Sequence, residues 1–264
     1  NPRNHAKSPG TSSSGSAAAV AAGILPAALG TQTGGSIIRP ASYCGAWGMK
    51  PSFGLIPRTG MLKTTDSLDT VGFFGRSAAD LGLLLGALRV KGPDYPFVHC
   101  RVDSGQGRLR EGPGFKVAVL LQGHWTFQHL DPATRAAFEE FMRKVSALPG
   151  IDLIEPQLPA LAAESHAIHT TLYHRALAYY FQNEFKHPGK ISDVIRAVIA
   201  EGKNIPLEAY QKALTDQEAL SRQIDWLFST YDILLTPSTA GPAPAFGTAI
   251  DPPGTGRLWT LCGL

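Results

Sequence analysis

Two short stretches hold the residues best suited to chemistry. Residues 8–16, Ser-Pro-Gly-Thr-Ser-Ser-Ser-Gly-Ser, contain Ser12 and Ser13, and residues 30–36, Gly-Thr-Gln-Thr-Gly-Gly-Ser, end in Ser36. A serine hydroxyl attacks a carbonyl carbon only when a base takes its proton and donors stabilise the oxyanion that forms. Gly34 and Gly35 before Ser36 allow a tight loop whose backbone N–H groups converge on one point. Several familiar arrangements are absent. No G-x-S-x-G elbow surrounds Ser12–Ser16 or Ser36, and no serine has a lysine three positions on. Gly15 is followed by Ser16 and Ala17, not by the Lys-Ser/Thr of a nucleotide phosphate loop. On residue types alone a catalytic serine, a tight turn and a simple phosphate cradle at a helix start all stay open.

The elements around these loops follow from pattern. Ala17–Ala22 is strong helix-forming sequence ended by Gly23, and Ile24–Gly30 reads as a buried strand or extended segment leading into the second loop. Val71–Phe74 is strand-like, and Ser77-Ala-Ala-Asp80 is a capping-box variant before a helix over Leu81–Leu88. Residues 91–114, rich in Gly and Pro, are a connecting segment. Phe115–Leu121 is a β-type run, and Asp131-Pro132 opens a helix to about Ala147. Helical patterns fill 159–186, 192–202 and 206–229, and Tyr231–Pro237 is a strand ending in a turn. Strands alternating with helices predict an α/β fold.

Composition narrows the function classes. The 264 residues are 44% hydrophobic and 17% charged, with a net charge of +3, which is globular and gives no electrostatic case for nucleic acid. No apolar run approaches the roughly 18 residues of a membrane span. Cys44, Cys100 and Cys262 are odd in number and widely spaced, so neither a disulfide framework nor a cysteine zinc site is expected, and a reduced, cytoplasmic setting is. The chain starts at Asn1 in loop-like sequence and stops in the apolar segment Leu258–Leu264, so a fragment at both ends is expected.

The spacing over some fifty residues resembles the amidase signature family. The carrying segments are Pro9–Gly23, Ala28–Gly45 and Gly48–Gly54, continued by Ser67–Gly72 and Arg76–Asp80 and, more loosely, by Leu234–Pro237 and Trp259–Gly263. The resemblance implies one amidase domain over 1–264, with a mixed β-sheet core flanked by helices. It implies a Ser–cisSer–Lys triad that cleaves a non-peptide carboxylic amide through an acyl-enzyme. Ser36 matches the nucleophile and Ser12, 24 positions earlier, the bridging serine that follows a cis peptide bond. The backbone N–H groups of Thr33, Gly34, Gly35 and Ser36 match the oxyanion hole, and Ser13 a supporting residue. The triad lysine lies upstream in relatives and is expected outside this chain. Lys7 is too close to Ser12, and Lys50 belongs to the Gly-x-Lys-Pro turn. Thr11 and Ser14 replace frequent glycines, and Ile38-Arg39 inverts the frequent Arg-Ile order. A small-molecule amide is the expected partner, with no cofactor or metal, no nucleic acid and no membrane, and with a homodimer as an allowed assembly. The alternatives are the ammonia-producing, amidase-like component of a tRNA-dependent amidotransferase and a non-catalytic remnant.

Other residues have plainer readings. His166, His169 and His174 share a helical pattern, but without an H-E-x-x-H arrangement they suit a helix or pocket wall better than zinc. Tyr173, Tyr179, Tyr180, Phe181 and Phe185 suit a core face, Cys44 a small buried residue, and His124, Trp125 and His129 packing near a strand end.

Overall fold

A computed structural model describes residues 1–91, 114–120, 128–248 and 255–264. Sequence and structure agree on an α/β fold of helices around small sheets. Among the described residues the mixed strand directions are divided between two three-stranded sheets. In the first, β3 (Thr70–Gly75) lies between β1 (Ala28–Gln32) and β2 (Trp47–Met49), antiparallel to both. In the second, β4 (Phe115–Val119) lies between β5 (Ile151–Ile154) and β6 (Ile233–Leu235), parallel to both. The parallel strands need crossovers, and the helix Pro132–Ser146 lies in the one from β4 to β5. The connecting segment expected over 91–114 lies outside the described residues apart from its two ends, as do His124 and Trp125.

Among the described residues the helices are α1 (Ser14–Ala21), α2 (Ile38–Cys44), α3 (Ala78–Leu88), α4 (Pro132–Ser146), α5 (Ser165–Tyr180), α6 (Asp193–Asn204), α7 (Leu207–Leu227) and α8 (Arg257–Leu261). Their starts follow side-chain chemistry. Ser77 accepts from the Asp80 N–H, and Asp131 accepts from the N–H groups of Ala133 and Thr134, with Pro132 at the first helical position. Gly45 ends α2 at φ +75°, a conformation other residues adopt only with strain.

Three expectations need correction. Ile24–Gly30 is not a buried strand: Ile24 is 75% exposed and Leu29 57%. The strand starts only at Ala28 and, among the described residues, pairs with β3 alone, so one of its edges stays open. Gly30–Gln32 belong to this strand, so the second glycine loop shrinks to residues 33–37. The helical pattern over 159–186 is broken: short 3-10 turns at 160–164 and 184–186 flank α5. Its aromatic face is only partly core, because Tyr179 is 68% exposed while Tyr173, Phe181 and Phe185 pack inward.

Two apolar clusters position the glycine loops. Ala17 and Val20 of α1 meet Ile37, Ala41, Cys44 and Phe74, which fixes α1 and α2 against β3. Ile168 and Leu172 of α5, Leu220 and Ile224 of α7, and Leu258 and Leu261 of α8 form the second cluster, which brings α8 back to the loop region. Helices α5 and α6 cross closely at Gly202, where a Cβ would lie 1.9 Å from the His174 carbonyl oxygen. Gly202→Ala is therefore expected to destabilise the fold by about 1–3 kcal/mol or more, read as a lower urea midpoint at unchanged m-value.

Candidate functional site

The segment Thr33–Ile37 turns from β1 into α2, and its shape is imposed by partners from four parts of the chain. Gln32, 1% exposed, is the central one. Its Oε1 accepts from the N–H groups of Ile37 at 2.8 Å and Ile38 at 3.1 Å, satisfying donors that the start of α2 leaves open. Its Nε2 donates to Thr260 Oγ1 at 2.9 Å, and Thr260 Oγ1 in turn donates to the Gly34 carbonyl at 3.0 Å. Thr33 Oγ1 donates to Asp69 Oδ1 at 2.6 Å. Asp69 also accepts from the Thr64 hydroxyl and from the N–H groups of Thr64 and Thr65, so this buried carboxylate is compensated by four donors.

His169 closes the other side. Its Nε2 lies 2.7 Å from the Thr33 carbonyl oxygen. Burial, with the charge of Arg257 second, pushes its pKa down to about 4, so the ring is neutral near pH 7. A carbonyl only accepts, so Nε2 carries the proton, and the buried Nδ1 has no partner among the described residues. With the carbonyls of Thr33 and Gly34 held by His169 and Thr260, the N–H groups that follow are turned away from those contacts.

The first serine loop docks on the second. Ser13 N–H donates to the Ser36 carbonyl at 3.4 Å. The Ser13 hydroxyl donates to the Thr31 carbonyl and accepts from the Thr31 N–H, both at 3.1 Å, so Ser13 is locked onto β1. Gly30 is needed there, since a Cβ would lie 2.7 Å from the Phe74 ring and 3.0 Å from Ser13 Oγ. The peptide bond from Thr11 to Ser12 is cis. Ser12 is exposed and Ser36 partly buried. Their hydroxyls make no hydrogen bond to each other or to any other described residue, so the loops are joined through Ser13.

Several candidates separate from this site. Cys44 is buried, its Sγ lies 3.5 Å from the Pro9 carbonyl, and burial raises its pKa, which suits packing and not a thiolate. His174 pairs with Glu201 on α6 and His169 with Thr33, so these rings do not share a ligand. Among the described residues no three His, Cys, Asp or Glu side chains gather as a metal would need, and no helix is long and apolar enough to cross a membrane. Lys50 donates to the Pro51 carbonyl and lines a cavity of about 240 Å³ with Gln32, Thr236 and Trp259. Burial lowers its pKa to about 8. The sequence singles out the serines and glycines, and His169 as part of a helix or pocket wall, but gives no role to Gln32, Asp69 or Thr260. Asp69 and Thr260 stand in the quoted segments Ser67–Gly72 and Trp259–Gly263.

A family model described as Amidase matches residues 1–262. The chain is 32% identical over 282 residues to the A subunit of the Glutamyl-tRNA(Gln) amidotransferase of Synechococcus sp. strain CC9605, covering 96% of this chain and 56% of that protein. It thus spans a little over half the length of that curated relative. The crystal structure of an amidase superposes with a TM-score of 0.84 at 28% identity, over 100% of this chain and 59% of that one. The crystal structure of the Glutamyl-tRNA(Gln) amidotransferase A subunit from Thermotoga maritima gives a TM-score of 0.78 at 28% identity, with the same coverage.

Two outcomes follow from the geometry. Gln32→Leu leaves the buried Ile37 N–H unpaired, and is expected to cost about 2–4 kcal/mol and to speed amide exchange at Ile37 and Ile38 well beyond the global change. His169 takes its proton near pH 6.5 when unfolded but only near 4 when folded. Its contribution to stability is complete above pH 6.5 and is lost as the pH falls toward 4, because the unfolded chain then holds more protons. Urea midpoints measured from pH 7 to pH 5 should fall in the parent protein and fall less in His169→Gln.

Proposed function

Because this chain belongs to the amidase family, we propose that the protein hydrolyses a carboxylic amide other than a peptide bond, through an acyl-enzyme on Ser36. Ser36 is the nucleophile and Ser12 the bridging serine. The N–H groups of Thr33, Gly34, Gly35 and Ser36 form the oxyanion hole, and Ser13 positions the first loop. The observation that carries this reading is the junction of the two loops, Ser13 N–H to the Ser36 carbonyl, with Ser13 itself locked to Thr31.

The chemistry runs in two halves. Ser12 accepts the proton from Ser36 as Ser36 Oγ bonds to the amide carbon, and a neutral lysine accepts the proton from Ser12. The loop N–H groups take up the charge that develops on the carbonyl oxygen, a type of donor worth roughly 3–4 kcal/mol each. The proton then goes to the leaving nitrogen, the C–N bond breaks, and water reverses the sequence on the ester. Hydrogen bonds between catalytic groups of this kind often tighten only when substrate binds.

Within this reading the lysine is supplied from outside these 264 residues. Lys50 is not assigned, because it is bound to Pro51 in a cavity whose lining includes neither serine. The setting is cytoplasmic. A second reading, favoured by the name of the curated relative, is an amidotransferase component that releases ammonia for a partner; dependence of turnover on a second protein identifies it.

A fluorophosphonate should label the intact protein at Ser36. Ser36→Ala should abolish labelling, and Ser12→Ala should slow it by about 100-fold or more, in the range for general-base assistance. Labelling that persists in Ser36→Ala overturns the nucleophile assignment. The 264-residue chain alone is expected to show no turnover of an aryl acyl amide, and rapid hydrolysis by it would mean that the base lies within it.

A further inference from the structure

Three successive carbonyls of the glycine loop are each held by a donor from a different helix. His169 of α5 holds the Thr33 carbonyl at 2.7 Å, and Thr260 of α8 holds the Gly34 carbonyl at 3.0 Å. The Arg39 N–H of α2 holds the Gly35 carbonyl at 3.0 Å. Among the described residues the cis peptide bond joins Thr11 to Ser12, so the peptides of this loop are trans. In a trans peptide the C=O and the N–H point in opposite directions, so a donor on the carbonyl aims the N–H of the next residue. His169 therefore sets the Gly34 N–H, and Thr260 sets the Gly35 N–H. Neither N–H has a hydrogen-bond partner among the described residues. Aimed and unspent donors beside Ser36 are what a developing oxyanion needs.

Packing alone does not account for the residue type at position 169. The ring is 4% exposed and lies behind Gly34, where a Cβ would sit 3.5 Å from Nε2. Its neighbours on α5, Ile168 and Leu172, are anchored in the apolar cluster shared with α7 and α8. An apolar side chain would fill this space at no polar cost. The imidazole instead buries Nδ1 as an acceptor with no partner among the described residues. What it adds in return is the N–H at Nε2. A hydrogen bond to the Thr33 carbonyl also polarises that peptide and strengthens the donor at its other end. Burial keeps the ring neutral, so the peptide is aimed without a further charge near Arg257.

We propose that His169 is a positioning residue for acyl transfer, fixing the Thr33–Gly34 peptide so that the Gly34 N–H meets the amide oxygen as Ser36 attacks its carbon. It acts through that one peptide and not on the substrate itself. The inference rests on the acyl-enzyme reading above. It adds to that reading a residue from α5, outside the two serine loops, on which the strength of the oxyanion hole depends. A donor aimed at developing charge lowers the barrier more than it tightens the preceding complex, so its loss slows the chemical step.

The test follows inactivation of the intact protein by a fluorophosphonate, with kinact and KI separated and the urea midpoint measured beside them. His169→Leu is expected to lower kinact by about tenfold or more and to leave KI within about twofold of the parent. His169→Gln places an amide N–H within reach of the same carbonyl and should recover most of the lost rate. A packing role alone predicts no such recovery, since an amide fills the apolar side of the site no better than leucine does. If His169→Leu fails to give the parent's cooperative melt, His169→Asn replaces it: this variant is polar but too short to reach the carbonyl, and should be slow where His169→Gln is fast. A kinact unchanged in His169→Leu, a change confined to KI, or a His169→Gln no faster than the variant lacking the donor overturns the proposal. Labelling that needs Ser36 but is indifferent to His169 leaves the acyl-enzyme standing and removes only the positioning role. Labelling that persists in Ser36→Ala removes both.

Discussion

A loop with two adjacent glycines has no preferred shape of its own, and the whole site depends on the side-chain amide of Gln32 giving it one. That amide is bifunctional. Its oxygen holds the first N–H groups of α2, and its nitrogen holds Thr260, which in turn holds the Gly34 carbonyl. Buried hydrogen bonds are worth most where water cannot compete, and each link of this chain leaves a costly orphan if it is cut. The entropy that glycine loses on ordering is thus offset in part by a connected polar network.

The network reaches far along the chain. Gln32 and Thr260 are separated by 228 positions, and His169 lies 136 from Thr33. These distances make the apolar cluster of α5, α7 and α8 part of the site, since it keeps Thr260, Arg257 and His169 at the loop. Bringing such distant residues together costs conformational entropy, which the core burial and the polar clamp offset together. A neutral His169 fits this packing: it is buried by the same contacts that lower its pKa, and it serves as a donor to Thr33 without adding charge beside Arg257.

Local features are legible in the sequence where the physics is local. Asp131-Pro132 and Ser77–Asp80 start helices through bonds within three residues, and both are plain from residue type. Ile24–Gly30 misleads because apolar character does not tell a covered strand from an exposed approach to an edge strand. The serines and glycines of the loops stand out as residue types with few other uses. Gln32, Asp69 and Thr260 do not, because a polar residue acquires its meaning from partners that only the tertiary structure brings near. His169 can be placed on a helix but not aimed, since which ring faces the loop depends on how α5 packs against α8.

The central claim is that this clamp presents the N–H groups after Thr33 to the oxygen of an amide bonded to Ser36. A crystal structure of the intact protein carrying a phosphonate adduct tests it most directly. The account predicts phosphorus bonded to Ser36 Oγ, Ser12 Oγ within hydrogen-bond reach of that oxygen, and a phosphonyl oxygen held by at least two loop N–H groups with the Gln32 contacts unchanged. An adduct whose oxygen points to solvent, or a loop that abandons Gln32 and Thr260 when the adduct forms, would contradict it.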